Sequence, residues 1–152
     1  MSIMVSACDP EHPGALALVE ELSQALVAIT GASGKASFAA ADARMARSVF
    51  LIARGDAGVL LGCASLRPLD GAVGEVKRMY ARPGTHGVGT ALLAHLEREA
   101  AAFGYRELWL ETRRVNLRAV AFYRKHGYEE IANYGKYVGR IDAICLGKRL
   151  GR

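Results

Sequence analysis

The stretch Glu75 to Glu99, EVKRMYARPGTHGVGTALLAHLERE, restricts the fold of this chain more than any other. It reads as a strand that ends in a glycine-rich turn and runs straight into a helix. At such a junction the first helical N–H groups have no partner inside the helix, and the aligned peptide dipoles place partial positive charge there. The junction therefore suits an anion. Gly87 and Gly89 carry no Cβ to hold a phosphate away, so a diphosphate could lie directly on the backbone.

The rest of the chain sets the context. At 152 residues it is expected to form one domain over 1–152 with a sizeable core. No run approaches the roughly 18 apolar residues of a membrane span. The start, MSIMVSACDPEHPG, lacks a basic segment and meets Asp9 and Glu11 before any apolar run, so a cytoplasmic protein is expected. Cys8, Cys63 and Cys145 cannot all pair, and none has metal-ligand spacing, so they read as small buried hydrophobes and no metal is expected. A net charge of +5 and a pI near 9.3 suit an anionic partner. The basic residues form no Lys/Arg block and no aromatic platform, which favours a phosphorylated cofactor over nucleic acid.

In chain order, Pro13 to Ile29 reads as a helix with Leu16, Val19, Leu22 or Ser23, and Leu26 near helical spacing. Thr30 to Ser37, TGASGKAS, lacks the glycine spacing of a phosphate loop and the hydroxyl residue after its lysine, and reads as a surface loop. A short helix is expected around Ala40 to Ala46. Strands follow at Val49–Ala53, Val59–Leu66 and Val73–Ala81, with short turns that imply an antiparallel meander. The helix after Gly87 turns Val88, Leu92, Leu96 and Phe103 to one side and closes at Gly104. A strand at Glu107–Glu111, a helix at Asn116–His126, and strands at Tyr128–Tyr134 and Ala143–Leu150 complete the order. The fold class is α/β, with a mixed, mostly antiparallel central sheet flanked by helices.

A second constellation lies on the helix from Asn116, where Asn116, Ala119 and Tyr123 share a face. It combines an amide that can bind a polar linker, a side chain small enough to admit a ligand, and a phenol that can donate a proton. Together, the Met79-Tyr80-Ala81 strand end, the Gly87-x-Gly89 helix start and the run Asn116-x-x-Ala119-x-x-x-Tyr123-x-x-x-Gly127-Tyr128 resemble the Gcn5-related N-acetyltransferase (GNAT) family. The detailed similarity covers Glu75 to Glu129. The chain end, Tyr134 to Gly139 and Cys145 to Leu150, is similar to small bacterial members.

The resemblance implies an N-acetyltransferase that moves the acetyl group of acetyl-CoA to a primary amine of a small molecule, amino acid or peptide by direct attack in a ternary complex. The alternative is an acyl-CoA-binding sensor without turnover. In the family's terms, Met79, Tyr80 and Ala81 would pair with the pantetheine amides. Thr85, His86, Gly87, Val88, Gly89 and Thr90 would hold the pyrophosphate through backbone N–H groups. Asn116 would bind the pantetheine arm beside the small Ala119, and Lys125 or Arg124 would meet the adenosine-side phosphate. Where the family usually has Gln or Arg and then Gly before the Gly87 position, this chain has Gly84 and Thr85, and Arg82 or His86 could supply the missing charge.

Tyr123 is the expected acid for the departing thiolate, since a phenol with a pKa near 10 is protonated at neutral pH. Glu75, on the same side as Lys77 and Met79 by strand alternation, is the expected base through water, with Glu111 ranked behind it. Loops Thr30–Ser37 and Gly135–Gly139, with Tyr134 and Tyr137, are expected to shape the acceptor site. An exposed late strand could pair between two copies.

Overall fold

The computed structural model describes residues 2–35 and 40–151. Ala36 and Ser37, the end of the expected Thr30–Ser37 loop, lie outside the described residues. Among the described residues, seven strands and three α-helices follow in the order β1 Met4–Ala7, α1 Pro13–Thr30, β2 Val49–Arg54, β3 Leu60–Pro68, β4 Val73–Ala81, α2 Val88–Ala102, β5 Glu107–Arg113, α3 Leu117–Lys125, β6 Glu129–Ile131 and β7 Ala143–Arg149. One sheet runs β1-β2-β3-β4-β5-β7-β6, with β4 and β5 parallel and all other neighbours antiparallel. The α/β class and the meander of β2, β3 and β4 agree with the sequence reading.

Local chemistry explains the helix ends. The His12 Nδ1 accepts from the Gly14 N–H at 3.0 Å, Pro13 stands in the first turn, and Gly31 takes φ 82° after the last turn. The buried face of α1 is Ala15, Leu18, Leu22 and Ser23: Leu22 and Ser23 are buried as expected, whereas in the first turns Ala15 and Leu18 take the inner positions and Leu16 is exposed. α1 packs Ala15 and Leu18 on Phe50, Ile52 and Cys63 of one sheet face. α2 buries Val88, Leu92, Leu93, Leu96 and Ala100 on the other face, in a cluster that also takes in Leu51, Leu66, Leu110, Tyr123 and Leu146. Each such aliphatic side chain contributes about 2 kcal/mol of burial.

Three differences from the expected elements have physical causes. β1 lies ahead of α1, where no strand is expected; it is a four-residue edge strand paired with β2, with Val5 packed against the α2-side core. The expected strand Tyr128–Tyr134 shortens to three residues, because Tyr128 is drawn into the α2-side core and Asn133 is bonded to the loop before β7. Among the described residues, the expected helix at Ala40–Ala46 is a 3-10 turn over Ala40–Arg44.

Two irregularities of β4 open the sheet. Cys63 lies opposite Tyr80 and Ser65 opposite Lys77, so β4 carries one extra residue there, and Arg78 adopts φ 52°. The parallel pairing of β4 with β5 covers only Val73↔Glu107, Gly74↔Leu108 and Glu75↔Trp109. Beyond Glu75 the two strands separate, and the β5-facing edge of β4 has no strand partner.

Candidate active site

The gap between the separated strands opens into a cavity of about 520 Å³ that passes through the sheet. Its middle is formed by Val76–Met79 of β4 and Leu110–Arg113 of β5. On the α2 side it is bounded by Asn116, Ala119 and Tyr123. On the α1 side stand Leu22, Leu26 and Ser33, faced by Lys136, Tyr137 and Arg140 from the loop before β7. The structure thus brings together the second constellation, Met79, and parts of both loops expected to shape the acceptor site.

Asn116 caps α3, its Oδ1 accepting from the Ala119 N–H at 3.3 Å. That leaves the amide NH₂ for the cavity. Tyr123 is 7% exposed and wedged edge-on between Phe122 and Tyr128, with centroids at 5.2 and 5.6 Å. Its hydroxyl has no hydrogen-bond partner among the described residues, yet it is not sealed from solvent. Burial raises its pKa above the ordinary phenol value, so it stays protonated at neutral pH.

Glu75 takes a different place from the one expected. The extra residue at Arg78 interrupts strand alternation: Glu75 and Lys77 share the α1 face with Tyr80, while Met79 packs into the α2-side core. The Glu75 carboxylate is 1% exposed and does not line the cavity. It accepts from Arg67 Nε at 2.8 Å and from the Tyr134 hydroxyl at 2.5 Å, with Lys77 Nζ at 3.5 Å. Arg67 also pairs with Asp42 at 3.0 Å, and Lys77 donates to the Tyr137 hydroxyl at 2.9 Å. Both oxygens are therefore held in a buried ionic network.

Glu111, ranked second from sequence, does line the cavity. It pairs with Arg113, and burial outweighs that cation and Lys77 to hold its carboxyl above the usual glutamate range. Burial likewise pulls the Lys77 amine below the usual lysine range, with Glu75 acting against the shift.

At the start of α2, Gly87 has φ 77° and no side chain caps the helix. The first intrahelical bond runs from the Ala91 N–H to the Gly87 carbonyl at 3.0 Å, so the N–H groups of Val88, Gly89 and Thr90 have no acceptor within the helix. Gly89 has a second reason to be glycine: a Cβ there would meet the Phe122 ring at 3.1 Å, so it lets α3 close on α2. The Thr90 hydroxyl and His126 Nε2, 3.1 Å apart, tie the same two helices. The Val88 side chain belongs to the core, and only its N–H can face a ligand.

Other expected contacts lie elsewhere. Arg82 does not supply charge to the turn, because its guanidinium is spent on Glu21, Nε at 3.0 Å and Nη2 at 2.7 Å, and on the Leu60 carbonyl. The Tyr80 hydroxyl donates to Glu21 at 3.1 Å, leaving that residue only its backbone for a ligand. Ala81, His86 and Lys125 are exposed and outside the cavity; the half-buried Thr85 is outside it too, its hydroxyl bonded to the Arg82 carbonyl at 2.6 Å. Lys77, Lys136 and Arg140 are lining residues that the sequence reading did not single out. The three cysteines are free, with Cys63 and Cys145 buried, and among the described residues no His/Cys/Asp/Glu group could hold a metal ion. No described helix is long and apolar enough to cross a membrane.

A parallel pair that parts in mid-sheet, an uncapped glycine helix start and a phenol on the neighbouring helix make a site open to an extended, anionic ligand. The chain belongs to the acetyltransferase (GNAT) family, which matches residues 16–128. It is 38% identical over 91 residues to the IAA acetyltransferase of Azospirillum brasilense, covering 58% of this chain and 59% of that protein. It is 41% identical over 64 residues to the ribosomal protein bS18-alanine N-acetyltransferase of Escherichia coli K12, covering 40% of this chain and 43% of that protein. The matches thus span about half the length of these curated relatives. A GNAT family acetyltransferase from Elizabethkingia anophelis, solved with acetyl-CoA bound, superposes with a TM-score of 0.72 at 16% identity, over 97% of this chain and 98% of that one.

Proposed function

We propose that this chain transfers the acetyl group of acetyl-CoA to a primary amine by direct attack within a ternary complex. The observation that carries the reading is the meeting of Tyr123 from one side of the sheet and Glu111 from the parted strands on one through-going cavity. The residues present fit acetyl-CoA. The unpartnered β4 edge beyond Glu75, including Met79, offers main-chain groups to the pantetheine amides. Asn116 offers its NH₂ and Ala119 gives room. The free N–H groups of Val88, Gly89 and Thr90 suit a pyrophosphate.

When bound, acetyl-CoA supplies a thioester carbonyl open to attack. The amine must arrive neutral, although at pH 7 an amine with a pKa near 10 is almost wholly protonated. Glu111, with its carboxyl held above the ordinary range, is placed to take that proton, directly or through one water. An N–H of the open β4 edge stabilises charge growing on the carbonyl oxygen. Tyr123 donates its proton to the departing sulfur. Glu75 acts as a positioning residue, holding Lys77 and Tyr134 and through them the wall beside Glu111.

Thiol release from acetyl-CoA across an amine panel, with mass detection of the product, tests this reading. An acetylated amine appearing in step with free CoA is the expected result. Acetyl-CoA binding with no transfer to any amine would overturn it in favour of a sensor.

A further inference from the structure

The α1 side of the cavity carries charge that the transfer chemistry does not use. Lys77, Arg78, Arg113, Lys136 and Arg140 line the cavity against a single lining carboxylate, Glu111. Most of these cations are engaged within the fold. Lys77 lies 3.5 Å from Glu75, Arg78 donates to Ser23 and to the Val19 and Ser33 carbonyls, and Arg113 is paired with Glu111. Arg113 and Arg140 share Asp142, at 3.5 and 3.2 Å. One carboxylate thus serves two guanidinium groups.

Lys136 is different. It makes no ion pair and no hydrogen bond among the described residues, and its ammonium stands 5.7 Å from the Tyr137 ring centroid, a ring that Lys77 approaches to 5.5 Å. Although Lys136 is exposed, desolvation by its neighbours and the charges of Lys77 and Arg67 push its amine below the usual lysine range, against the pull of Glu75 and Glu111. The mouth of the cavity is therefore locally short of negative charge. Lys136 and Arg140 bracket it, and Leu22 and Leu26 of α1 form an apolar wall opposite.

We propose that the acceptor is a primary amine that also bears a carboxylate, the carboxylate resting on Lys136 and Arg140 while the amine points inward to Glu111 and Tyr123. The inference rests on the acetyltransferase reading above. In the reaction the amine nitrogen bonds to the acetyl carbon and the C–S bond breaks. The ammonium proton leaves through Glu111, and the sulfur takes the proton of Tyr123, which is restored from the amine side through water. A carboxylate at the mouth adds charge-assisted contacts and orients the amine.

The test compares the amino acids with their C-terminal amides as acceptors. Acids are expected to show kcat/KM at least tenfold above their amides. In Lys136→Gln that ratio should fall toward one through a raised KM for the acid, and Lys136→Arg should keep it. A ratio near or below one in the unaltered protein, or a preference that survives Lys136→Gln, would overturn the inference while leaving the transferase reading standing. Absence of thiol release with every amine would overturn both.

Discussion

In the role proposed for it, Tyr123 combines a ring packed into the core with a hydroxyl left over for chemistry. Its ring packs against Phe122 and Tyr128, but its hydroxyl bonds to nothing among the described residues. Tyr123→Phe should therefore keep the fold and the KM for acetyl-CoA while lowering kcat by about 10²-fold, the usual contribution of a positioned acid. Steady-state kinetics with a chemistry-limited acceptor checks this, and an unchanged kcat would remove the phenol from the reaction. The two carboxylates separate by the same logic. Because the Glu111 carboxyl is raised, its basic form is lost at a higher pH than for an ordinary glutamate as pH falls. The kcat/KM profile should thus show an acidic limb that Glu111→Gln abolishes, leaving a rate that follows the free amine and is down about 10²-fold at neutral pH. Glu75→Gln should instead act on stability. Removing the charge leaves Arg67 and Lys77 under-compensated in a buried network, a loss of about 3 kcal/mol, or on the order of 10 °C in Tm. A calorimetric scan that finds no change would show that the network is not holding the wall.

At the level of elements, the glycine pattern was legible but its meaning was divided. Gly87 does what the sequence suggests, turning the chain with φ 77° into an uncapped helix. Gly89 serves the α2–α3 contact as well, because Phe122 fills the space a Cβ would take. Adding Ala there trades about 1 kcal/mol of helix propensity against a tight contact, so it should change little. Gly89→Val places further methyl groups at the ring and should cost about 1–3 kcal/mol. It also displaces the helix that carries Asn116 and Tyr123. A several-fold rise in the KM for acetyl-CoA together with a lowered Tm is the expected outcome, and normal kinetics would show that α3 adapts without moving the site. The same scale explains what the sequence left hidden. Motif order placed Asn116, Ala119 and Tyr123 on one face because helical spacing is regular. Strand alternation failed at Glu75 because one inserted residue at Arg78 is invisible to a period of two. Glu75's partner Tyr134 comes from 59 residues away, so its engagement could not be read locally. β1, four residues at an edge, carries too short a pattern to announce itself.

For the whole molecule, the opening between β4 and β5 is a seam left unpaired in the middle of a seven-stranded sheet. A sheet with an interior gap forgoes main-chain bonds that a continuous sheet would make, and a ligand that supplies them binds the folded chain and not the unfolded one. Mass action then sets the scale: acetyl-CoA at a hundredfold excess over its Kd should stabilise the fold by about 2.7 kcal/mol. For a chain of 152 residues that is a rise in Tm of roughly 5–10 °C. The stabilisation should also be local. Hydrogen exchange should slow at the β4 amides beyond Glu75 and at Val88 to Thr90, while the edge strands β1 and β6, far along the sheet order, exchange as before. Because the chain carries a net charge of +5 and CoA is a polyanion, the gain should shrink as salt rises. Protection spread evenly over all seven strands, with no excess at the seam, would mean that the ligand stabilises the protein from somewhere other than the gap.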